Sequence, residues 1–253
     1  MNEALLSPNR VIAVAGRVLR QLRHDHRFLG LSLAAPVITT YLLKVLFDAA
    51  ANPFYDPTEF IVVYGAFIVH FLTYVLSVIA LVRERTKGTL ARMFISGYRQ
   101  SEIVGGYLLA YSLLATLQSL LVLGTIQILF TLDYSLAQFA SIYLIIWLLA
   151  VCSVALGIFV SNFARNEGQA VPFIPLMILP SAFLSGILIP VDQLAAWAQW
   201  LSFLTPLFYA NESLLTLIEP GGVMASNRAA VVGLAGYGAA ILLLSNLTLR
   251  ELE

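Results

Sequence analysis

A histidine and a serine are the residues of this sequence whose types could perform covalent chemistry. His70 lies near the middle of one apolar stretch, and Ser185-Gly186 lies near the end of another. An intramembrane serine protease would need such a serine and histidine within hydrogen-bonding reach. The two positions fall at different depths of their stretches, which argues against contact. An enzyme of this class is an alternative that the sequence does not favour, and we predict no catalytic residue.

Two further histidines stand close together, at His24 and His26, with Asp25 between them. Residues two apart on a helix point to different sides, so this arrangement is poor for chelation. We therefore predict no metal site.

Polar and aromatic side chains inside the apolar stretches are candidates for contact with a transported molecule. An ionisable group in mid-membrane is a site candidate by default, although an imidazole bonded to a neighbouring helix is the simpler interpretation of His70. Gln118 could equally bind two helices together. A proline kink can line a pathway, or packing alone can explain it. The candidate pathway residues are His70, Gln118, Tyr74, Pro175 and Phe183.

The composition places these residues in a membrane. The chain has 253 residues, of which 60% are hydrophobic and 11% charged, whereas a soluble domain carries roughly 25% charged residues. Cys152 is the only cysteine, so no disulfide can form within the chain. Stretches of about 20 apolar residues are long enough to cross a bilayer as helices. We predict an all-α polytopic membrane protein, forming a single transmembrane domain, with six spans near residues 28–47, 60–82, 103–130, 138–160, 170–190 and 229–249.

The basic residues show which way the spans run. Lys and Arg together number 14. Twelve of them fall on alternate loops, at Arg10, Arg17, Arg20, Arg23, Arg27, Arg83, Arg85, Lys87, Arg92, Arg99, Arg165 and Arg250. By the positive-inside rule these loops are cytoplasmic, and so are both termini. We expect the first span to act as its own insertion signal, without a cleavable signal peptide.

Three segments are neither spans nor simple loops. In residues 1–27, a helical wheel separates an apolar arc from the arginines, which predicts an amphipathic helix at the cytoplasmic interface. In the loop 83–102, Gly88-Thr89 can begin a short helix capped by Thr89, with Leu90, Met93 and Phe94 on one face. Residues 191–228 follow a helix stop at Pro190, and Thr205-Pro206 separates two short aromatic helices there, on the outer side.

The last two segments carry a family resemblance. The loop resembles the coupling-helix region of type 2 permeases of ATP-binding cassette transporters, with matches at Glu84, Gly88, Thr89 and Leu90. Ala91 stands where that family often has Glu, and Gly97 stands near its usual Pro. The outer segment is similar to the family's Ser-Gly, Pro and Pro-Leu-x-Tyr pattern, at Ser185-Gly186, Pro190 and Pro206-Leu207-Phe208-Tyr209.

The resemblance implies one half of an exporter. Such permeases have six spans, pair as dimers and seat a nucleotide-binding subunit under each coupling helix. The resemblance implies that this chain is a transport subunit, which we expect to be a homodimer in the cytoplasmic membrane, surrounded by lipid. The residues expected to couple it to the ATPase are Glu84, Arg85, Gly88, Thr89, Leu90, Met93 and Phe94. The residues expected at an outer gate are Ser185, Gly186, Pro190, Pro206 and Tyr209.

ATP must bind elsewhere. A P-loop needs Gly, four residues and Gly-Lys-Ser/Thr, and neither Lys44 nor Lys87 stands in that pattern. We expect ATP and Mg on the partner subunit, no cofactor on this chain and no nucleic acid partner. The aromatic and aliphatic spans suit an amphipathic cargo, drug-like or lipid-linked, while a polysaccharide or glycolipid stays open. A secondary transporter is less favoured, because acidic groups lie at span edges.

Overall fold

A computed structural model describes residues 7–49, 58–219, 222 and 224–249. This part of the chain is helical throughout, with no strand. Its α-helices are α1 (Pro8–His24), α2 (His26–Ala49), α3 (Thr58–Thr86), α4 (Thr89–Ile95), α5 (Gln100–Phe130), α6 (Leu136–Ser161), α7 (Glu167–Ala170), α8 (Phe173–Leu184), α9 (Ala196–Ser202), α10 (Pro206–Ile218) and α11 (Arg228–Thr248). Two 3-10 turns, Val191–Gln193 and Met224–Asn227, complete it. Arg250, counted above among the basic residues, lies outside the described residues.

The predicted all-helical fold with six spans is confirmed. Helices α2, α3, α5, α6 and α11, and the α7–α8 pair, are long and apolar enough to cross a membrane. Helices α9 and α10 meet at 89° and together form a further broken span or a re-entrant loop. The described part of the chain thus holds six spanning helices, or seven if that bent pair also crosses.

The core of the bundle forms around α3 and α6. In their most apolar windows, 67% and 72% of the residues are buried, against 17% in α2, in α7–α8 and in α11. Close approach of α3 and α6 depends on Gly157, since a Cβ there would lie 2.5 Å from the Ser77 Cβ. Small residues at crossing points let helices pack closely in membranes. Helix α5 is intermediate, with 44% of its window buried, whereas most residues in the windows of α2, α7–α8 and α11 are not buried.

The bundle has two chemically different ends. The basic end consists of α1, α4, the end of α3 and the start of α5. The end of α11 also lies there, because the Gln100 side chain bonds to the Leu249 carbonyl oxygen. The other end, called the aromatic end here, consists of the α5–α6 turn and the end of α10, where Gln138 donates to the Leu217 carbonyl oxygen at 3.4 Å. The α9–α10 corner, with Trp197, Trp200 and Phe203 exposed, is included in it.

The fifth predicted span, 170–190, differs from the structure at its far end. Helix α8 stops at Leu184 because Gly186 has φ +85°, a left-handed backbone conformation that ends a helix. The residues up to Pro190 are not helical. Asp192 lies in the 3-10 turn that follows Pro190, and α9 begins only at Ala196.

The amphipathic N-terminal helix is present as α1. Its apolar arc, which includes Val14, Val18 and Leu22, is buried within the protein. Val14 packs on Gly106 of α5, where an added Cβ would lie 2.5 Å from the valine. The helix is therefore docked on the bundle through the face that the wheel identified.

Candidate functional site

The short helix α4 is enclosed by two glycines in left-handed conformations, Gly88 with φ +67° and Gly97 with φ +79°. Glycine adopts this conformation without the steric cost that other residues meet. The predicted cap was Thr89, but Gly88 occupies the N-cap position and no side chain caps the helix. Gly88 is the N-cap because the sharp turn after α3 requires a positive φ there, which glycine adopts at lower cost than threonine.

The predicted apolar face of α4 points mainly into the protein. Leu90 and Met93 are each only 7% exposed, and Phe94 is half-buried against the same core. Ile95 is 85% exposed and provides the apolar side chain that α4 presents outwards. Leu90 and Met93 therefore hold α4 against the bundle. The exposed apolar residue is Ile95, which sequence reasoning missed.

Glu84, at the end of α3, is a buried carboxylate with an arginine partner from α1. Its Oε2 accepts hydrogen bonds from both terminal nitrogens of Arg17 at 3.2 Å and from the Tyr107 hydroxyl at 3.2 Å. Arg17 also donates to the Tyr107 oxygen at 2.7 Å. A buried charge needs such a partner, since desolvation is otherwise costly. Glu84 thus joins α1, α3 and α5 beside the short helix.

A second buried carboxylate, Glu102, repeats this arrangement at the start of α5. It accepts from the Arg99 backbone N–H at 3.0 Å and from Arg10 at 3.4 Å. Arg10 also donates to the Gly97 carbonyl oxygen at 2.8 Å, at the turn that ends α4. Arginines of α1 therefore hold both sides of α4.

The sequence carries a signal for the two arginines but not for their partners. Arg10 and Arg17 are seven residues apart, which is two helical turns, so they share one side of α1. On the wheel both lie on one flank of the apolar arc, whereas Arg23 lies on the other flank and Arg20 on the opposite side of the helix. Arginines beside a buried face are the ones placed to reach buried carboxylates.

Arg85 makes a different connection at the same end. It donates to the Asn162 backbone oxygen at 3.0 Å and to Asn162 Oδ1 at 3.1 Å. Asn162 Nδ2 donates in turn to the Ser245 carbonyl oxygen and to the Thr248 hydroxyl of α11, at 3.2 and 2.9 Å. The joint between α3 and α4 is therefore linked to the ends of α6 and α11.

A cavity of about 240 Å³ lies between α3, α8, α11 and the α9–α10 corner. Two of the predicted pathway residues, His70 and Tyr74, line it. Gln118 does not, since it bridges Thr73 of α3 and the Ser32 carbonyl oxygen of α2 at 3.1 and 3.0 Å. Pro175 and Phe183 are exposed on α8. The structure thus places the five predicted pathway residues in three different surroundings.

His70 lies beside two serines that the sequence did not single out, and it has a short hydrogen bond with one of them. Its Nδ1 lies 2.7 Å from the Ser153 Oγ and its Nε2 lies 3.4 Å from the Ser181 Oγ. Ser185, the serine considered for protease chemistry, donates instead to the Ala182 carbonyl oxygen. The predicted Ser185–His70 pair is therefore not brought together, because Ser185 belongs to the turn after α8.

The predicted gate residues surround that turn. The Asn211 side chain, 1% exposed, donates to the Ser185 carbonyl oxygen at 3.0 Å. Pro206 is buried at the first position of α10, and Tyr209 donates to the Phe203 carbonyl oxygen at 3.0 Å. Pro190 is exposed before the 3-10 turn. Asn211 joins this set as a residue that sequence reasoning missed, since nothing in its spacing announces a bond 26 residues away.

Comparison with known proteins finds one family profile that matches most of this chain and relatives that match about half of it. A family profile described as ABC-2 type transporter matches residues 9–218. ABC transporter G family member 20 of Dictyostelium discoideum is 27% identical over 143 residues, which cover 56% of this chain and 20% of that protein. The probable multidrug ABC transporter permease YbhR of Escherichia coli K12 is 24% identical over 129 residues, 51% of this chain and 35% of that protein.

The chain therefore spans between a fifth and about a third of the length of these curated relatives. The family match includes α4 and the α8–α10 region, the two segments that carry the resemblance in the sequence. The family predicted from those segments is confirmed: this multi-pass membrane protein belongs to the ABC-2 type transporter family.

Proposed function

We propose that this chain is the permease half of an exporter in the cytoplasmic membrane, driven by ATP hydrolysis on a separate nucleotide-binding subunit. One observation carries the proposal. The helices on both sides of α4 are tied to α1 by ion pairs whose carboxylates are buried, and α4 itself presents Ile95 at 85% exposure. A short helix that is fixed inwards and apolar outwards is suited to contact a partner protein.

Coupling follows from the position of α4 between two long helices. ATP and Mg belong to the partner subunit, whose closure displaces α4. Because Glu84 and Glu102 tie the neighbouring ends of α3 and α5 to α1, a displacement of α4 tilts these helices together. A contact that is equal in two states would shift nothing, so the partner must hold α4 differently with and without ATP.

The predicted coupling residues take different parts in this proposal. Glu84 and Arg85 anchor the joint, while Gly88 and Thr89 form the turn into α4. Leu90, Met93 and Phe94 position the helix from within, and Ile95 meets the partner. The basic end faces the cytoplasm in this proposal, in keeping with the positive-inside rule.

The cargo that we propose is amphipathic, drug-like or lipid-linked. The relative from Escherichia coli is named a probable multidrug permease, which supports this class. The apolar cavity with His70 at its wall supports it as well. Charged solutes would find no Asp, Glu, Lys or Arg among the residues lining that cavity.

A second copy of the chain is the partner that we propose within the membrane. Helices α2, α8 and α11 keep most of their apolar windows exposed within one chain. Exposed apolar faces of this size meet lipid or another copy. Pro175 and Phe183, exposed on α8, would then lie towards the path between the copies, with the turn held by Asn211 forming its outer gate.

The experiment replaces Ile95 with Asp and measures ATP hydrolysis and transport of a fluorescent amphiphilic dye in vesicles holding the chain and its ATPase. Ile95→Asp is a cleaner probe than Phe94→Asp, because Phe94 also packs on the core. We expect transport to fall about tenfold or more, because burying an unpaired charge at an interface costs over about 1.4 kcal/mol.

Leu136→Asp is the matched control, since Leu136 is 86% exposed but lies at the aromatic end. It should transport normally. Equal transport by both variants and the parent would refute the coupling role of α4.

A further inference from the structure

The cavity beside His70 is mainly apolar but has two buried polar side chains on one wall. His70 is 1% exposed and Ser181 is 4% exposed, and both border the cavity. The rest of the lining is mainly aliphatic and aromatic, and includes Met177, Leu201 and Tyr237. A mostly apolar cavity with a few convergent polar groups is the usual form of a small-molecule site.

The hydrogen bonds around His70 determine which of its nitrogens carries a proton. The Ser153 hydroxyl donates to the Leu149 carbonyl oxygen at 2.7 Å. A hydroxyl has one proton to donate, so towards His70 the same oxygen acts as an acceptor, at 2.7 Å from Nδ1. Nδ1 therefore bears the hydrogen, and Nε2 is left as an acceptor.

Nε2 lacks a strong partner within the described protein. The nearest hydroxyl, Ser181 Oγ, lies at 3.4 Å, which is long for a hydrogen bond from a hydroxyl group. An acceptor and a hydroxyl thus stand side by side at the wall of an apolar cavity. A ligand hydroxyl in the cavity, placed against both atoms, could donate to Nε2 and accept from Ser181.

We propose that this cavity binds the hydroxyl-bearing end of an uncharged amphiphile, with its hydroxyl on His70 Nε2 and its apolar chain against Met177, Leu201 and Tyr237. The inference rests on the proposed export function, whose cargo class it narrows to alcohols. A charged head group is excluded because no ionised side chain borders the cavity to pair with it.

The volume sets the size of the bound end. At 240 Å³ the cavity has room for about eight groups the size of a liquid water molecule. This is the size of a medium-length aliphatic alcohol or of one end of a larger cargo. Because the site lies within one chain, a dimer would hold two such ends.

The test uses two photoreactive probes, a decanol carrying a diazirine and its methyl ether, added to membranes that contain the full protein. Labelled peptides are mapped by mass spectrometry. We expect the alcohol to label the α8 and α9 peptides about fivefold more than the ether, the ratio that one neutral hydrogen bond supplies. His70→Phe should bring the ratio close to one.

Two further variants keep the result interpretable. Met177→Trp fills the cavity without touching the His70–Ser153 bond, and it should remove labelling by both probes. Ser119→Ala alters a buried serine that is not among the cavity lining, and it should leave the ratio unchanged. Equal labelling by alcohol and ether in the parent, or full labelling in Met177→Trp, would overturn the proposal.

The outcome separates this site from the exporter mechanism. Labelling needs neither ATP nor the partner subunit, whereas the Ile95→Asp experiment needs both. A lost alcohol preference with Ile95→Asp still uncoupled would mean an exporter whose cargo binds elsewhere. A retained preference with normal transport by Ile95→Asp would mean a ligand site in a protein that is not driven through α4.

Discussion

The two ends of the bundle are held together by different forces. At the basic end, buried carboxylates on α3 and α5 pair with arginines of α1, so charged hydrogen bonds join three helices around α4. At the aromatic end, side chains bond to backbone carbonyl oxygens, as Asn211 does to Ser185. Lys44 pairs with Asp48 there, but this ion pair lies within α2. The Lys44 ammonium reaches α5 only through the Phe130 ring, 5.5 Å from its centroid.

This difference supports the mechanical role that we propose for each end. Charge-assisted hydrogen bonds are about twice as strong as neutral ones, and they resist separation of the elements they join. A displacement applied to the basic end is therefore passed on to the long helices. The aromatic end has weaker ties between elements and can open at lower cost, as the proposed outer gate requires.

The largest loss of stability in this comparison is expected when the Glu84 carboxylate is removed. Glu84→Ala leaves Arg17 without its ion-pair partner and the Tyr107 hydroxyl without an acceptor. We expect a loss of about 3 kcal/mol in the free energy of unfolding, the range found when one partner of a buried pair is deleted. The measurement is an SDS unfolding titration of the purified protein in micelles.

The matched control for that variant is Glu167→Ala. Glu167 is paired with Arg83 at 3.1 Å but keeps 50% of its side chain exposed. Exposed pairs contribute about 0 to 1 kcal/mol. Similar losses in the two variants would contradict the special role of the buried carboxylate.

A second, smaller effect is expected where α1 docks on α5. In Gly106→Ala the new Cβ would meet the Val14 Cβ at 2.5 Å and the Val11 carbonyl oxygen at 3.1 Å. Backbone cannot move aside easily, so we expect about 2 kcal/mol of destabilisation, and faster proteolysis within α1. The readouts are the SDS titration and a timed trypsin digest.

Gly105→Ala provides the comparison one residue away. Its nearest neighbour, a Val11 methyl group, would be at 3.5 Å, which is ordinary contact. Because alanine favours helix over glycine by about 1 kcal/mol, this variant should be neutral or more stable. If Gly105→Ala instead loosened α1, the close contact between α1 and α5 would lie at Gly105 and not at Gly106.

The sequence was sufficient for the helices but not for most of their contacts. Apolar runs of span length and the alternation of arginines predicted the six spanning helices, since a helix in lipid satisfies its own backbone bonds. Gly88 and Gly97 bound α4 for another local reason, since glycine readily adopts the left-handed conformation found at both positions. The end of α8 was placed too late, because Pro190 was given more weight than the turn at Gly186.

Pairs distant in the chain could not be predicted in this way. His70 meets Ser153 and Ser181 across 83 and 111 residues, and no periodicity within one helix identifies such a partner. The wheel of α1 found its buried face but not the carboxylates that its arginines reach. Those contacts depend on how the helices are rotated and docked, which many side chains decide together.

At the aromatic end we expect Asn211→Ala to cost about 1 kcal/mol, the net value of a single neutral hydrogen bond. The lost bond frees the Ser185 carbonyl at the turn after α8. Since this turn forms the proposed gate, the variant should also leak dye without ATP. A dye-leak assay in vesicles, beside the SDS titration, measures both effects. Tight vesicles with Asn211→Ala would argue against a gate at this turn.

The smallest effect is expected at the exposed aromatic residues. Trp200 is 75% exposed, so Trp200→Phe should change the free energy of unfolding by less than about 0.5 kcal/mol. Trp147 is the control, because its indole N–H donates to the Thr116 hydroxyl at 2.9 Å. Trp147→Phe should cost about 1 kcal/mol. If Trp200→Phe proved the more damaging of the two, Trp200 would have to be covered in the folded protein, and the aromatic end would be held as firmly as the basic end.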